Sequence, residues 1–209
     1  MSYDEYDYAM DMFYERMSEE LYPEHKEHAI DEFVQETMVS YYLRNPTIIN
    51  APFECYHHAN SLMNTSKRCA HIMYTTSIEL FLKSVLLKPV LYGMIHNENV
   101  AQLIVDSSTG QAGFNRYKKL LSTLCMNAAE IDLNSIVGMN NKPILQEVDE
   151  VQSVRNKIVH QGYDPTIDEF GTAKNIATLI LGVVVEPVLN NMNLIISGDD
   201  EGGFTVAKA

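Results

Sequence analysis

Arg155, Asn156 and His160 stand within six residues of each other, in the stretch Arg155-Asn156-Lys157-Ile158-Val159-His160. These are the side-chain types that cleavage of an RNA phosphodiester calls for. Histidine gives or takes a proton near neutral pH. Arginine holds a phosphate with two parallel hydrogen bonds and offsets charge that builds in the transition state. Asparagine carries one donor and one acceptor group, enough to orient the phosphate or the histidine. Lys157 adds a second cation beside them. RNA brings its own nucleophile, the 2′-hydroxyl, so this chemistry requires no metal and no cofactor.

The surroundings sharpen this. Ile144, Val148, Val151, Ile158 and Val159 share one face of a helix, and Arg155 falls within that face. An arginine on an apolar stripe is costly unless it is paired, because its charge cannot be shed. Glu79 is the candidate partner for a buried ion pair. On a regular helix Arg155 and His160 point about 140° apart. Unwinding ahead of Gly162 is expected to bring both to one cleft. Each residue also has a plainer reading. His160 suits a helix end, where it bonds the last carbonyls. Glu79 and Lys83 suit an ordinary i,i+4 pair.

Val154-Arg155-Asn156-Lys157-Ile158-Val159-His160-Gln161-Gly162 resembles the signature of the HEPN domains (higher eukaryotes and prokaryotes nucleotide-binding). In that family an arginine, commonly followed by a polar residue such as asparagine, precedes a histidine by four to six positions. Ser77-Ile78-Glu79-Leu80-Phe81-Leu82-Lys83 resembles the family's central helix, where a glutamate and a lysine recur in an aliphatic run. The resemblance spans about Phe53 to Ile196 and is anchored at these two places. It implies an all-α bundle of four to five core helices that pairs into a homodimer. It also implies a metal-independent endoribonuclease, often a toxin or anti-phage effector, working with an antitoxin or defence-system partner. His160 would then be the general acid and base, Arg155 the phosphate and transition-state ligand, and Asn156 their support. Glu79, Lys83 and Lys157 would be supporting or substrate-binding residues. Some members of the family have lost catalysis and only bind, so a HEPN-like binding module for a nucleotide or a protein partner is the alternative.

The elements that must position these residues are helical throughout. Residues 1–44 form an acidic extension, with helical spacing from Tyr3 to Leu21, a break at Pro23, and a second helix from Ile30 to Tyr41. Asn45-Pro46 to Pro52 marks a boundary. A domain spanning 53–196 follows. Its long helical region from Phe53 to about Met94 is interrupted near Asn64, and its part from Cys69 to Leu87 is apolar nearly all round, as a central buried helix is. Shorter helices are expected at Asn99–Asp106 and Phe114–Met126. Ile144 to Val159 is the motif helix, stopped by Gly162. Thr166-x-x-Glu169 is a capping box opening a last helix that kinks or ends near Pro187. Residues 197–209 read as a flexible tail, and no stretch shows convincing strand alternation.

The chain carries a formal charge of -13 over 209 residues. Met1 to Glu36 holds 12 acidic and 2 basic residues, so the acidity sits mostly there. That weighs against a protein that coats nucleic acid indiscriminately, since such binding comes from Lys and Arg meeting phosphates. A basic cleft on the nearly balanced remainder is still allowed, above all in a dimer. The acidic start Met1-Ser2-Tyr3-Asp4-Glu5 is unlike a secretory leader, and the apolar run Ile176 to Val185 is short for a bilayer span of roughly 20 residues. A cytoplasmic location without a membrane anchor is therefore expected. Cys55, Cys69 and Cys125 read as reduced, core-filling thiols. His25, His28, Glu54, Cys55, His57 and His58 are metal-capable but lack a complementary ligand pair, and Gly110-x-x-Gly113 is a plain loop.

Overall fold

A computed structural model describes residues 12, 33, 35–94, 118–198 and 203–209. Residues 35–44 are helical (α1). A 3-10 turn, Pro46–Ile49, leads into α2 (Asn50–Leu62). Helix α3 (Lys67–Leu80) runs on through a π-helical stretch, Phe81–Leu87, into α4 (Lys88–Met94). Then come α5 (Lys118–Ala129), α6 (Ile144–Gln161) and α7 (Ile167–Leu179). A second π-helical stretch, Ile180–Val185, joins α7 to α8 (Glu186–Asn191). Strands β1 (Leu194–Gly198) and β2 (Phe204–Lys208) pair antiparallel, with Ile196 opposite Val206.

The all-round apolar segment is the centre of the bundle. Tyr74, Ile78, Phe81, Leu82, Val85 and Leu86 are fully buried. Helices α2, α6 and α7 pack around α3, and the two π-helical stretches pack on each other. Burial of each large apolar side chain contributes about 1.5–3 kcal/mol, so this helix is the main stabilising element. The break near Asn64 is a turn between α2 and α3, and Ser66 caps the new helix by accepting from the Cys69 backbone N–H.

Both π-helical stretches have the same cause. Pro89 lies two residues beyond Leu87, and Pro187 two residues beyond Val185. A proline has no N–H, and its ring crowds the carbonyl four residues back. The helix widens by a turn to admit it and then resumes. Pro187 thus falls in the first turn of α8 and does not end the helix, which runs to Asn191. The carbonyls deprived of a partner belong to Val85 and Val183. Val183 itself is exposed. Val85 is fully buried, and the Tyr42 hydroxyl donates to its carbonyl at 2.6 Å.

Several expectations change here. Met38 and Tyr42 belong to the same core cluster as Val85, Leu194 and Val206, so the signals at Asn45-Pro52 mark a change of direction inside one core. The rest of the acidic extension lies outside the described residues, apart from Met12 and Phe33, as does the helix expected at Asn99–Asp106. The tail is not loose where it is described. Val206 is buried, Phe204 stacks on Phe53 with ring centroids 4.1 Å apart, and the Phe204 N–H donates to Asn50 Oδ1 at 2.7 Å. A strand of five residues with only two inward positions carries too little alternation to stand out in sequence. Ile176 to Val185 is part of a continuous helix, Ile167–Asn191, whose 25 residues are long and apolar enough to cross a membrane by length and composition; half of its most apolar window is buried inside the protein. Cys125 is buried, which pushes its thiol up to about 12, whereas Cys69 is exposed and fills no core.

Tyr42→Phe removes the hydroxyl that donates to the buried Val85 carbonyl and changes the shape little. The expected cost is about 1–3 kcal/mol. It is read as a lower urea midpoint at unchanged slope.

Candidate functional site

Helix α6 carries the motif. Val148, Val151, Val154 and Ile158 form its buried face. The helix stays regular through Gln161 and ends at Gly162, whose φ of 64° is the left-handed conformation that glycine adopts without strain. The Gly162 N–H returns to Ile158 O at 3.1 Å, and the Tyr163 N–H to Lys157 O at 3.4 Å. The expected unwinding ahead of Gly162 therefore does not occur. Within one chain Arg155 and His160 leave the helix about 140° apart, and neither lines the cleft beside α6.

Arg155 is half-buried, on the flank of the apolar face and not in its middle. Val159, expected on the buried face, is 50% exposed. The expected Arg155–Glu79 ion pair is absent: Glu79 Oε1 accepts from Gln152 Nε2 at 3.0 Å. Arg155 Nη1 instead donates to Asn156 Oδ1 at 3.0 Å, and among the described residues the guanidinium has no carboxylate partner. Asn156, Lys157 and His160 are all exposed. Helical geometry puts His160 within about 40° of Asn156 and about 60° of Lys157. Asn156 thus holds the arginine head on the side of the helix towards the ridge that carries His160. Lys83 is half-buried inside the first π-helical stretch.

A cleft of about 480 Å³ opens on the other flank of α6, lined by Lys142, Glu150, Ser153, Lys157, Asp168 and Thr172, among others. Of Arg155, Asn156, Lys157 and His160 it takes in Lys157 alone. Lys142 Nζ is bound to Glu150 Oε1 at 2.7 Å. Lys157 Nζ lies 5.7 Å from the centre of the Tyr163 ring, and the Tyr163 hydroxyl donates to Glu169 Oε2 at 3.0 Å. Glu169 closes the capping box with Thr166, as its spacing indicated. Burial pushes the Glu169 carboxyl up, but hydrogen bonds from Thr166 and Tyr163 and the charge of Lys157 outweigh it and hold the group below its ordinary value.

Two buried polar residues were not singled out by sequence. Glu147 is fully buried in the first turn of α6. Its Oε1 accepts from the Asn140 N–H at 2.9 Å, and a Cβ on Gly138 would sit 2.5 Å from its carboxyl carbon, so a larger residue there must displace the carboxylate. His71, also fully buried, donates from Nε2 to Val151 O at 3.1 Å. In the helix ladder that same carbonyl receives the Arg155 N–H. His71 Nδ1 has no hydrogen-bond partner among the described residues. The signal for His71 was a polar residue one turn before Tyr74 and Thr75 in the apolar run, on the side facing α6. Among the earlier metal-capable residues, His57 stacks with Phe53 and Phe204.

No known family model matches this chain, and no curated protein or solved structure matches it.

Burial holds the His71 pKa below its ordinary 6.5, against the opposing pull of the Val151 bond and the Glu169 charge. The unfolded chain takes up a proton near the ordinary value and the folded chain does so only at lower pH. The His71 contribution is thus complete above 6.5 and is lost as pH falls below it. Urea unfolding between about pH 7.5 and 5.5 is expected to show a stability loss of at most about 1.4 kcal/mol per pH unit that is missing in His71→Gln.

Proposed function

We propose that this protein is a metal-independent endoribonuclease of the HEPN type, acting in the cytoplasm as a toxin or anti-phage effector under the control of an antitoxin or defence-system partner. The observation that carries this reading is the state of Arg155. A half-buried guanidinium, with no carboxylate partner among the described residues, is held by Asn156 beside the ridge that presents His160. An arginine kept by a carboxylate would have spent its charge on structure. This one is available to a phosphate.

The divergence of Arg155 and His160 within one chain makes a homodimer part of the proposal. Two α6 ridges facing each other across a two-fold axis bring two arginines and two histidines around one groove. There His160 takes the proton of a 2′-hydroxyl, and that oxygen attacks the adjacent phosphorus. The bond from phosphorus to the 5′-oxygen breaks, and the leaving oxygen takes up a proton from the imidazolium. Arg155 holds the non-bridging oxygens, whose charge grows in the transition state. Lys157 faces the flanking backbone phosphates. Glu79 acts at a distance, through Gln152, one turn from Arg155.

The same 140° divergence also favours a second reading, a catalytically silent HEPN-like module that binds a nucleotide or a protein on the α6 ridge. The two readings part on activity. The enzyme cleaves RNA in EDTA and leaves 2′,3′-cyclic phosphate ends. His160→Ala and Arg155→Ala are each expected to lower the single-turnover rate by about 10²-fold or more at unchanged melting temperature. Undiminished cleavage by His160→Ala would sink the enzyme reading.

A further inference from the structure

The segment that follows the motif is fastened residue by residue. Gly162 and Tyr163 return their N–H groups to the last turn of α6. The Tyr163 hydroxyl is held by Glu169, Pro165 is buried, and Thr166 is locked in the capping box. The remaining residue, Asp164, is gripped from another part of the chain. Arg68 Nε donates to Asp164 Oδ1 and Arg68 Nη2 to Asp164 Oδ2, both at 2.5 Å.

This fork links the first turn of α3 to the chain four residues after His160. It is a two-bond contact between planar groups, the geometry that sets orientation as well as distance. Because both partners are solvent-accessible, its worth to global stability is small. Its local effect is another matter. The last turn of any helix frays unless something beyond it is anchored. His160 sits in that turn, on the exposed side, where the core does not hold it. Of the bonds along Gly162–Thr166, the fork is the one that reaches α3, the most deeply buried helix.

We propose that Arg68 is a positioning residue for His160, acting through the Asp164 carboxylate and the Gly162 cap. The proposal rests on the ribonuclease reading for its catalytic consequence, and on geometry alone for the mechanical one. Arg68 does not touch the reacting phosphate; it keeps the last turn of α6 formed, so that the imidazole meets the 2′-hydroxyl in one orientation. Positioning errors of about an ångström are enough to slow a proton transfer severely.

The test compares the wild type with Arg68→Gln, Asp164→Asn and the exchanged pair Arg68→Asp with Asp164→Arg. Amide hydrogen exchange at Gly162 and Tyr163 and RNA cleavage are measured on each. Both single variants are expected to exchange these two amides faster, by roughly tenfold, at an unchanged melting temperature. Both are expected to lose kcat by roughly tenfold with KM unchanged, and the exchanged pair to recover both properties in part. Unchanged exchange in the single variants overturns the proposal. So does a loss confined to Arg68→Gln and expressed in KM, because that result makes Arg68 a ligand of RNA and not a latch. A wild type that cleaves no RNA overturns the ribonuclease reading instead, and the exchange measurement still decides the latch.

Discussion

The imidazole of His71 fastens the motif helix to the centre of the bundle. It is fully buried on α3 and gives its one N–H to Val151 O on α6. A buried donor left without an acceptor is costly, so α6 cannot slide or turn on α3 without losing this bond. Two turns along α3, Glu79 takes the amide of Gln152, the residue next to Val151. The two bonds pin the middle of α6 at consecutive residues. They leave the last two turns, from Arg155 to Gln161, projecting beyond the pinned segment. Arg155, Asn156, Lys157 and His160 are all on that part.

The centre itself is shaped by a deliberate irregularity. Pro89 and Pro187 each withdraw one backbone bond from a long helix, and each helix answers with a wider turn. The two wide turns pack on each other. The Val85 carbonyl, orphaned in this way, is deep, and Tyr42 from α1 fills the vacancy. The segment before Asn45 is in this way bound to the core by a polar bond as well as by burial of Met38.

Charge follows the same division between pinned and projecting structure. Glu79 is committed to Gln152, Glu150 to Lys142, Asp149 to Lys118 and Asp164 to Arg68. The acids near the motif are thus largely engaged elsewhere, and among the described residues Arg155 is left with an amide for company. An acidic chain can in this way present a locally cationic ridge.

Sequence alone determined the helical class, the central apolar helix, the break near Asn64, the Gly162 stop and the Thr166–Glu169 capping box. Each of these depends on local propensity or a short period, which neighbouring residues set by themselves. It also singled out Arg155, Asn156 and His160 by type and spacing. Only the tertiary structure decided who meets whom. Glu79 lies 73 positions from Gln152 and 76 from Arg155, and nothing local distinguishes those two partners. Tyr42 on Val85, Arg68 on Asp164, His71 on Val151 and the short strand under Phe53 are likewise contacts between distant segments. They come from packing the whole chain at once, where one buried bond excludes another.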